Sequence, residues 1–415
     1  MQVPEMLSTA FGKQFQEWIA QFSVDQKLLP DISSIESSRF LSRSIVPHIL
    51  KLSGLFNREE KNQAGGLDPY WKQSSHPAHL RLAYFLYFMP CNLFRMACIW
   101  NELARLGFRW QHQGQFRGIE FGAGPASGAC GIAAGEKVAV LGLPQSGSWA
   151  LIEQDRSMLE LGSRWAEAYF SHLDFGNWGI RPFHRKLDPS QGFLPANAPR
   201  FHLWLMSYYL NEVQLSPKEL APILIKSWAK HLEDEGVVIL IEPALKLQSR
   251  RLLELRQELL ALREKSGGGW QILLPCIGHQ ACGALKQAED WCHEDVLWWR
   301  PPYFRILDQM AGLDRKSLPF SYLVIVKSPR PREEILPRLG AFAEKTRYRL
   351  VSPAHREGRD SEFFVCGQEG KRRARYRFQN TDPQAGEVLQ RGDILIGAEI
   401  RGDQNASRIS HFEKA

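Results

Sequence analysis

Gly118-Ile119-Glu120-Phe121-Gly122-Ala123-Gly124-Pro125-Ala126-Ser127-Gly128 is the stretch on which the fold turns. A short apolar run ends at an acid, glycines then alternate with small residues, and a helix opens. Glycine lets the backbone bend sharply and approach a ligand where a Cβ would clash. The pattern is not the dinucleotide GxGxxG cradle, because Pro125 follows the second glycine and removes an amide donor. Nor is it a P-loop, since no Gly-Lys-Ser/Thr appears. A strand ending in an acid and Gly-x-Gly, then a second strand ending in another acid, suits S-adenosylmethionine. The turn packs against the methionine portion, and the second acid binds the ribose hydroxyls. That acid is Glu153, closing Trp149-Ala150-Leu151-Ile152-Glu153, with Asp155 as the alternative. The expected cofactor contacts are Glu120, Gly122, Ala123, Gly124, Pro125, Ser127 and Glu153, joined by Ser207 and Asn211. The competing reading is a tight strand-to-helix turn that binds nothing.

Outward from this turn, short strands alternate with helices. Ser148–Glu153, Phe201–Met206, Gly236–Ile241 and Phe320–Val326 read as strands, and Leu247 to about Glu264 as a long amphipathic helix. This grammar predicts an α/β fold with a mostly parallel sheet and helices on both faces. Residues 1–112 read as helical, with apolar positions at three- and four-residue spacing through Phe11-Phe15-Trp18-Ile19-Phe22 and Leu93-Met96-Ala97-Trp100-Leu103. A polar break spans Asn57–Ser75. The most apolar run, Leu82–Phe94, is interrupted by Pro90, is too short to cross a bilayer, and reads as a buried helix pair. The expected organisation is a helical region 1–112, a sheet domain 113–330 with a Cys-rich insert at 270–300, a basic β-rich domain 331–402, and a frayed tail 403–415.

The chain has 415 residues, a net charge of +7 and 44% hydrophobic residues, which excludes wholesale disorder. Its basic excess is local. Lys327–Arg377 holds 14 Lys and Arg against 7 Asp and Glu, and the rest of the chain is balanced. One basic patch is therefore expected rather than a basic coat. No signal or transit pattern opens the sequence, so a cytoplasmic protein without a membrane partner is expected. No homo-oligomer seam is visible.

The seven cysteines divide in two. Cys91, Cys98 and Cys130 sit in apolar helical surroundings and read as packing residues. Cys276, Cys282, Cys292 and Cys366 sit in irregular or basic segments, and four thiolates are the inventory of tetrahedral zinc or an iron–sulfur cluster. The spacing lacks a CxxC knuckle, so exposed or catalytic thiols compete evenly with a metal. His279 and His293 lie close by in sequence. Pro275-Cys276 follows the long helix, not a sheet strand beside the methyl donor, which argues against a pyrimidine-attacking nucleophile.

Several motifs of unrelated purpose then occur in one order. They are the turn 120–128, Ser207-Tyr208-Tyr209-Leu210-Asn211-Glu212, Ile241-Glu242-Pro243, Leu274-Pro275-Cys276, Cys282, Asp290-Trp291-Cys292-His293, Phe320-Ser321-Tyr322-Leu323 and Val365-Cys366-Gly367-Gln368-Glu369-Gly370. Over roughly residues 70 to 395 the chain resembles the Rsm-type methyltransferase-like proteins of small-ribosomal-subunit assembly, known from mitochondria and bacteria. The resemblance implies a class I methyltransferase fold, association with small-subunit ribosomal RNA, and a 4Fe–4S cluster on Cys276, Cys282, Cys292 and Cys366, with zinc as the lesser alternative. The chain departs from the family where Ile277 and Gly278 separate the first thiol from His279, where Gly283 follows the second, and where Glu294 follows Trp291-Cys292-His293. No Asn/Asp-Pro-Pro-aromatic acceptor turn follows Phe201–Met206. Asn211 and Glu212 are the candidate catalytic residues, and Tyr208 could stack on a base. Two functions follow: an rRNA methyltransferase, or a non-catalytic rRNA-binding assembly factor that keeps the fold. Lys371, Arg372, Arg373, Arg375 and Arg377 form the expected RNA-binding run, with aromatic residues interleaved.

Overall fold

Near-continuous apolar strands set the centre of the molecule. A computed structural model describes residues 13–57, 76–112, 114–341, 345–358, 360–368, 370–377, 389–397, 400–401, 407–409 and 413–414. In it β1 (Phe116–Phe121) pairs in parallel with β2 (Ser146–Glu153) on one side and β4 (Phe201–Ser207) on the other. Every residue of β4 is buried, as a strand covered on both faces requires. β3 (Asn177–His184) adds outside β2, and β5 (Leu232–Pro243) outside β4. β8 (Ser317–Val326) lies antiparallel to β5, and its far edge is shared by β6 (Gln271–Leu274) and β7 (Glu294–Leu297). The order β3-β2-β1-β4-β5-β8-β6, with β8 antiparallel, is the Rossmann-like sheet of class I S-adenosylmethionine-dependent methyltransferases.

Three helices cover one face: α5 (Met89–Arg105), α6 (Ser127–Val138) and α7 (Arg156–His172). Trp100, Trp149 and Trp165 are fully buried there. The other face carries α8 (Pro217–His231) and α9 (Lys246–Ser266), packed on Phe121, Trp204, Met206 and Leu240. Strand alternation divides β1 between the two cores: Phe116 faces the first, Ile119 and Phe121 the second.

Ahead of the sheet run α1 (Lys13–Asp25), α2 (Ser38–Ser44), α3 (Val46–Phe56) and α4 (Pro77–Ala83). Instead of the expected helix pair over Leu82–Phe94, α4 continues through a π-helical turn, Tyr84–Phe88, into α5. Pro90 stands where the π turn gives way to α-helix, so the ladder changes register beside the residue that cannot donate. The combined helix Pro77–Arg105 is long and apolar enough to cross a membrane by length and composition. However, 94% of its most apolar window is buried inside the protein, as in a core helix. Phe11 and residues 58–75 of the expected polar break lie outside the described residues.

A second sheet follows, in the order β14-β15-β12-β11-β9-β13-β16, with β14 (Ile400–Arg401) and β16 (Glu413–Lys414) at its ends and β10 (His355–Glu357) beside β11. Its strands include β9 (Arg347–Leu350), β11 (Asp360–Gly367), β12 (Gly370–Arg377), β13 (Ile394–Ile396) and β15 (Ser407–Ile409). Tyr348, Leu350, Phe363, Val365, Tyr376 and Leu395 form its core. The stretch expected to fray past Gly402 instead contributes β15, parallel to β12, because Ile409 buries its side chain in that core. Arg349 ties this sheet to the first unit, donating to Glu294 Oε1 at 3.0 Å and to Glu102 Oε1 at 3.1 Å.

Candidate functional site

The carboxyl ends of β1, β2 and β4 converge on one cleft, as they do in open α/β sheets. Its volume is about 590 Å³, and Gly122, Gly124, Glu153, Asp188, Ser207 and Tyr209 are among its walls. Gly122 and Gly124 have φ of +61° and +51°, in the left-handed region that glycine adopts freely. A Cβ on Gly122 would meet the Tyr209 ring at 2.9 Å, so only glycine fits there.

Glu153 closes β2 with its carboxylate turned toward the turn. Oε2 accepts from Gly124 N–H at 3.0 Å, and Oε1 accepts from Asp155 N–H at 2.9 Å. Burial raises the Glu153 pKa, and the backbone donors oppose that shift. Asp155 is already occupied: it caps α7 by accepting from Met158 N–H at 2.7 Å, and it accepts from Arg81 Nε and Nη2 at 3.0 and 2.9 Å.

Glu120 sits one layer deeper. It is 1% exposed and accepts from Gly128 and Ala129 N–H at 2.8 and 2.9 Å, bracing the start of α6. Burial pushes its pKa up to about 7. It does not line the cleft, and neither do Ala123, Pro125 or Ser127. These four shape the turn from behind.

The segment after β4 is locked from the opposite side. Glu242, at the end of β5, accepts from Leu210 N–H at 2.8 Å and Asn211 N–H at 3.2 Å. Burial pushes Glu242 up to about 8. From α9, Arg251 donates to the carbonyls of Leu210, Val213 and Leu215. Asn211 faces Glu242 and Arg251 in a small niche, away from the cleft, and its Oδ1 is buried without a partner. Of the two candidate catalytic residues, only Glu212 lines the cleft. Tyr208 holds φ +59°, a strained value for a non-glycine residue, and its ring lies under Arg95 at 5.7 Å. Its hydroxyl and Ser207 Oγ are buried and unpartnered at the cleft wall.

Sequence reasoning missed a further wall. Arg185, Lys186, Leu187, Asp188 and Ser190 follow β3 and line the cleft, as does Tyr84 from the π turn. The signal was available as Leu187-Asp188-Pro189-Ser190, but β3 itself went unread.

A second candidate centre lies where the two sheets meet. Cys276 follows β6, Cys282 precedes a short 3₁₀ turn, Cys292 precedes β7 and Cys366 lies in β11. Burial first, then Cys276 and Cys282, push the Cys366 thiol up to about 12. Burial and the three other thiols likewise raise Cys292. The four thiols thus come into one region, but among the described residues no group of three or more His, Cys, Asp or Glu that could hold a metal ion is formed. Buried arginines hold the intervening loop. Arg256 donates to Gly278 and Gln280 carbonyls at 2.7 and 3.1 Å, and Arg332 to those of Cys276 and Ile277. His279 turns Nε2 to the Ile272 carbonyl at 3.3 Å, an orientation that serves the loop backbone.

The basic run on β12 is largely paired. Lys371 reaches Asp290 at 2.6 Å, Arg373 and Arg375 share Glu362 at 2.6 and 3.6 Å, and Arg377 faces Asp360 at 3.9 Å. The interleaved Tyr376 is in the core and cannot stack on a base; the exposed ring is Phe364, opposite Arg373 on β11. Strand alternation explains both, since 374 and 376 point inward when 373, 375 and 377 point out.

A family model described as mitochondrial small ribosomal subunit Rsm22 matches residues 131–386. No curated protein matches the chain. Among solved structures, an O-methyltransferase from Bacillus cereus in complex with SAH is 11% identical, with a TM-score of 0.32, over 67% of this chain and 96% of that one. The O-methyltransferase TomG from Streptomyces achromogenes, in complex with SAM, is 13% identical, with a TM-score of 0.29, over 69% and 97%. TrmN from Thermus thermophilus is 18% identical, with a TM-score of 0.28, over 45% and 47%. At such values the likeness carries no argument; the strand order and the cleft carry it.

Proposed function

The chain belongs to the family of mitochondrial small ribosomal subunit Rsm22, and from that premise we propose that it binds S-adenosylmethionine and small-subunit ribosomal RNA in ribosome assembly. The observation that carries the cofactor reading is Glu153, its carboxylate oriented by Gly124 and Asp155 N–H at the mouth of the glycine turn. Gly122 and Gly124 leave the backbone bare there, and Ser207 Oγ offers an unused polar group. In this reading Glu153 holds the ribose hydroxyls, Leu187 gives an apolar wall to the adenine, and Asp188 accepts from its amine. When bound, S-adenosylmethionine supplies a methyl group made electrophilic by its sulfonium.

We read Cys276, Cys282, Cys292 and Cys366 as the ligands of a 4Fe–4S cluster. The support is the donor set: four free cysteines, the first of them on a loop braced by Arg256 and Arg332.

A second reading, rRNA binding without turnover, has its own support. Asn211 is turned out of the cleft, and Tyr208 and Ser207 close the corner where an acceptor would sit. Methyl transfer from labelled S-adenosylmethionine to rRNA of immature small subunits, with anaerobically purified protein, separates the two. Labelled rRNA supports the enzyme; a stable, unlabelled complex supports the assembly factor. Absence of any complex overturns the ribosomal reading.

A further inference from the structure

The outer edge of the first sheet carries charge that no ion pair among the described residues engages. β3 pairs with β2 only, and between Asn177 and Leu187 the chain has Arg181, Arg185 and Lys186 and no acid. No ion pair among the described residues engages these three side chains. This is the reverse of β12, whose basic side chains face carboxylates.

The edge also has a defined face. Arg181 stands opposite Ala150 and Phe183 opposite Ile152 in the parallel register, so both project on the side of the sheet covered by α8 and α9. The residues Arg181 to His184 of β3, and Arg185 and Lys186 after it, are all exposed. Phe183 is 51% exposed, between Arg181 and Arg185. At the usual rise, Arg181 and Arg185 lie about 13 Å apart along the strand. The strand then runs directly into the cleft: His184 is opposite Glu153, and Arg185 and Lys186 are cleft walls.

Charged residues and Pro182 on an edge deter another protein strand from pairing with it. A purely defensive edge, however, gains nothing from a half-exposed phenylalanine between two arginines. Cations alternating with an aromatic ring are the parts of a single-strand nucleic-acid track: the cations meet phosphates and the ring stacks on a base. We propose that the exposed face of β3 is a docking track for single-stranded RNA, leading a nucleotide toward the cleft. This rests on the ribosomal RNA reading above and names the surface that serves it.

The test is fluorescence anisotropy of labelled oligouridylate with the full-length, anaerobically purified protein across a salt series. Arg181→Gln and Phe183→Ala lie outside the cleft wall, so thermal melting reports whether each variant remains folded. Each is expected to weaken binding roughly tenfold, and Arg181→Gln to flatten the salt dependence by about one phosphate contact. The paired control, Arg373→Gln with Arg375→Gln, is expected to change affinity less than threefold. Folded β3 variants that bind like the parent, with the loss appearing in the control, overturn the track and leave RNA binding intact. A parent protein that binds no RNA overturns both.

Discussion

Glu153 Oε2 and Gly124 N–H, joined at 3.0 Å, link the end of β2 to the turn that follows β1. The bond fixes a carboxylate at the bend of the sheet before any ligand arrives, a preorganisation that lowers the cost of binding. Glu120, eight residues before Gly128, does the complementary task from inside, giving two helix-opening amides their acceptor.

The two acids therefore differ in what their loss does. Glu120→Ala leaves two buried amides without acceptors and is expected to lower stability by about 1–3 kcal/mol. Glu153→Ala, at the cleft, is expected to cost stability less and ligand affinity more. Urea denaturation of the two variants checks the order; equal destabilisation would contradict it.

Glu120 and Glu242 also set a pH dependence. Burial raises them to about 7 and about 8 from an ordinary 4.5, so the folded state binds their protons more tightly than the unfolded chain. By linkage, their contribution is fully present below about 4.5 and is lost as pH rises toward 7 and 8. Melting temperature is expected to fall over that range, and Glu242→Gln to flatten the fall. An unchanged slope in the variant would show that folding does not raise the Glu242 pKa.

The thiol centre gives a spectroscopic prediction. Anaerobically purified protein is expected to be brown, with broad visible absorbance lost in Cys276→Ser, Cys282→Ser, Cys292→Ser and Cys366→Ser. Colourless protein with bound zinc would contradict the cluster. Cys366 alone comes from the second sheet, which invites the idea that the cluster staples the two units together. The structure adds Arg349 and Lys371, which reach Glu102, Glu294 and Asp290 across the same boundary. Cys366→Ser is therefore expected to lose iron while limited proteolysis still shows the second sheet protected.

Arg349 carries the heavier structural load. It is 2% exposed and paired with two buried carboxylates. Arg349→Met leaves Glu102 and Glu294 without that cation and is expected to destabilise by about 3–5 kcal/mol. Chemical denaturation measures this; a loss below 1 kcal/mol would contradict the pairing.

What the sequence revealed follows from where local chemistry was decisive. The turn 118–128 and the apolar runs of β1, β2, β4, β5 and β8 could be read because strands buried on both faces leave unbroken apolar stretches. β3 escaped because Gly179, Arg181 and Pro182 break its pattern, and an exposed edge strand has no apolar face to advertise. With it went the cleft residues Arg185 to Ser190. Asn211 and Glu212 read alike as neighbours on a turn, and only the contacts from Glu242 and Arg251 divide them. The β12 lysine and arginines looked free because their carboxylate partners, Asp290, Asp360 and Glu362, come from other segments.

The most direct test of the central claim is calorimetric titration of S-adenosylmethionine into anaerobically purified, folded protein. The account predicts saturable single-site binding that weakens about 10- to 100-fold in Glu153→Ala, as the loss of charge-assisted hydrogen bonds implies. No heat with the parent protein, or equal affinity in Glu153→Ala, would contradict it.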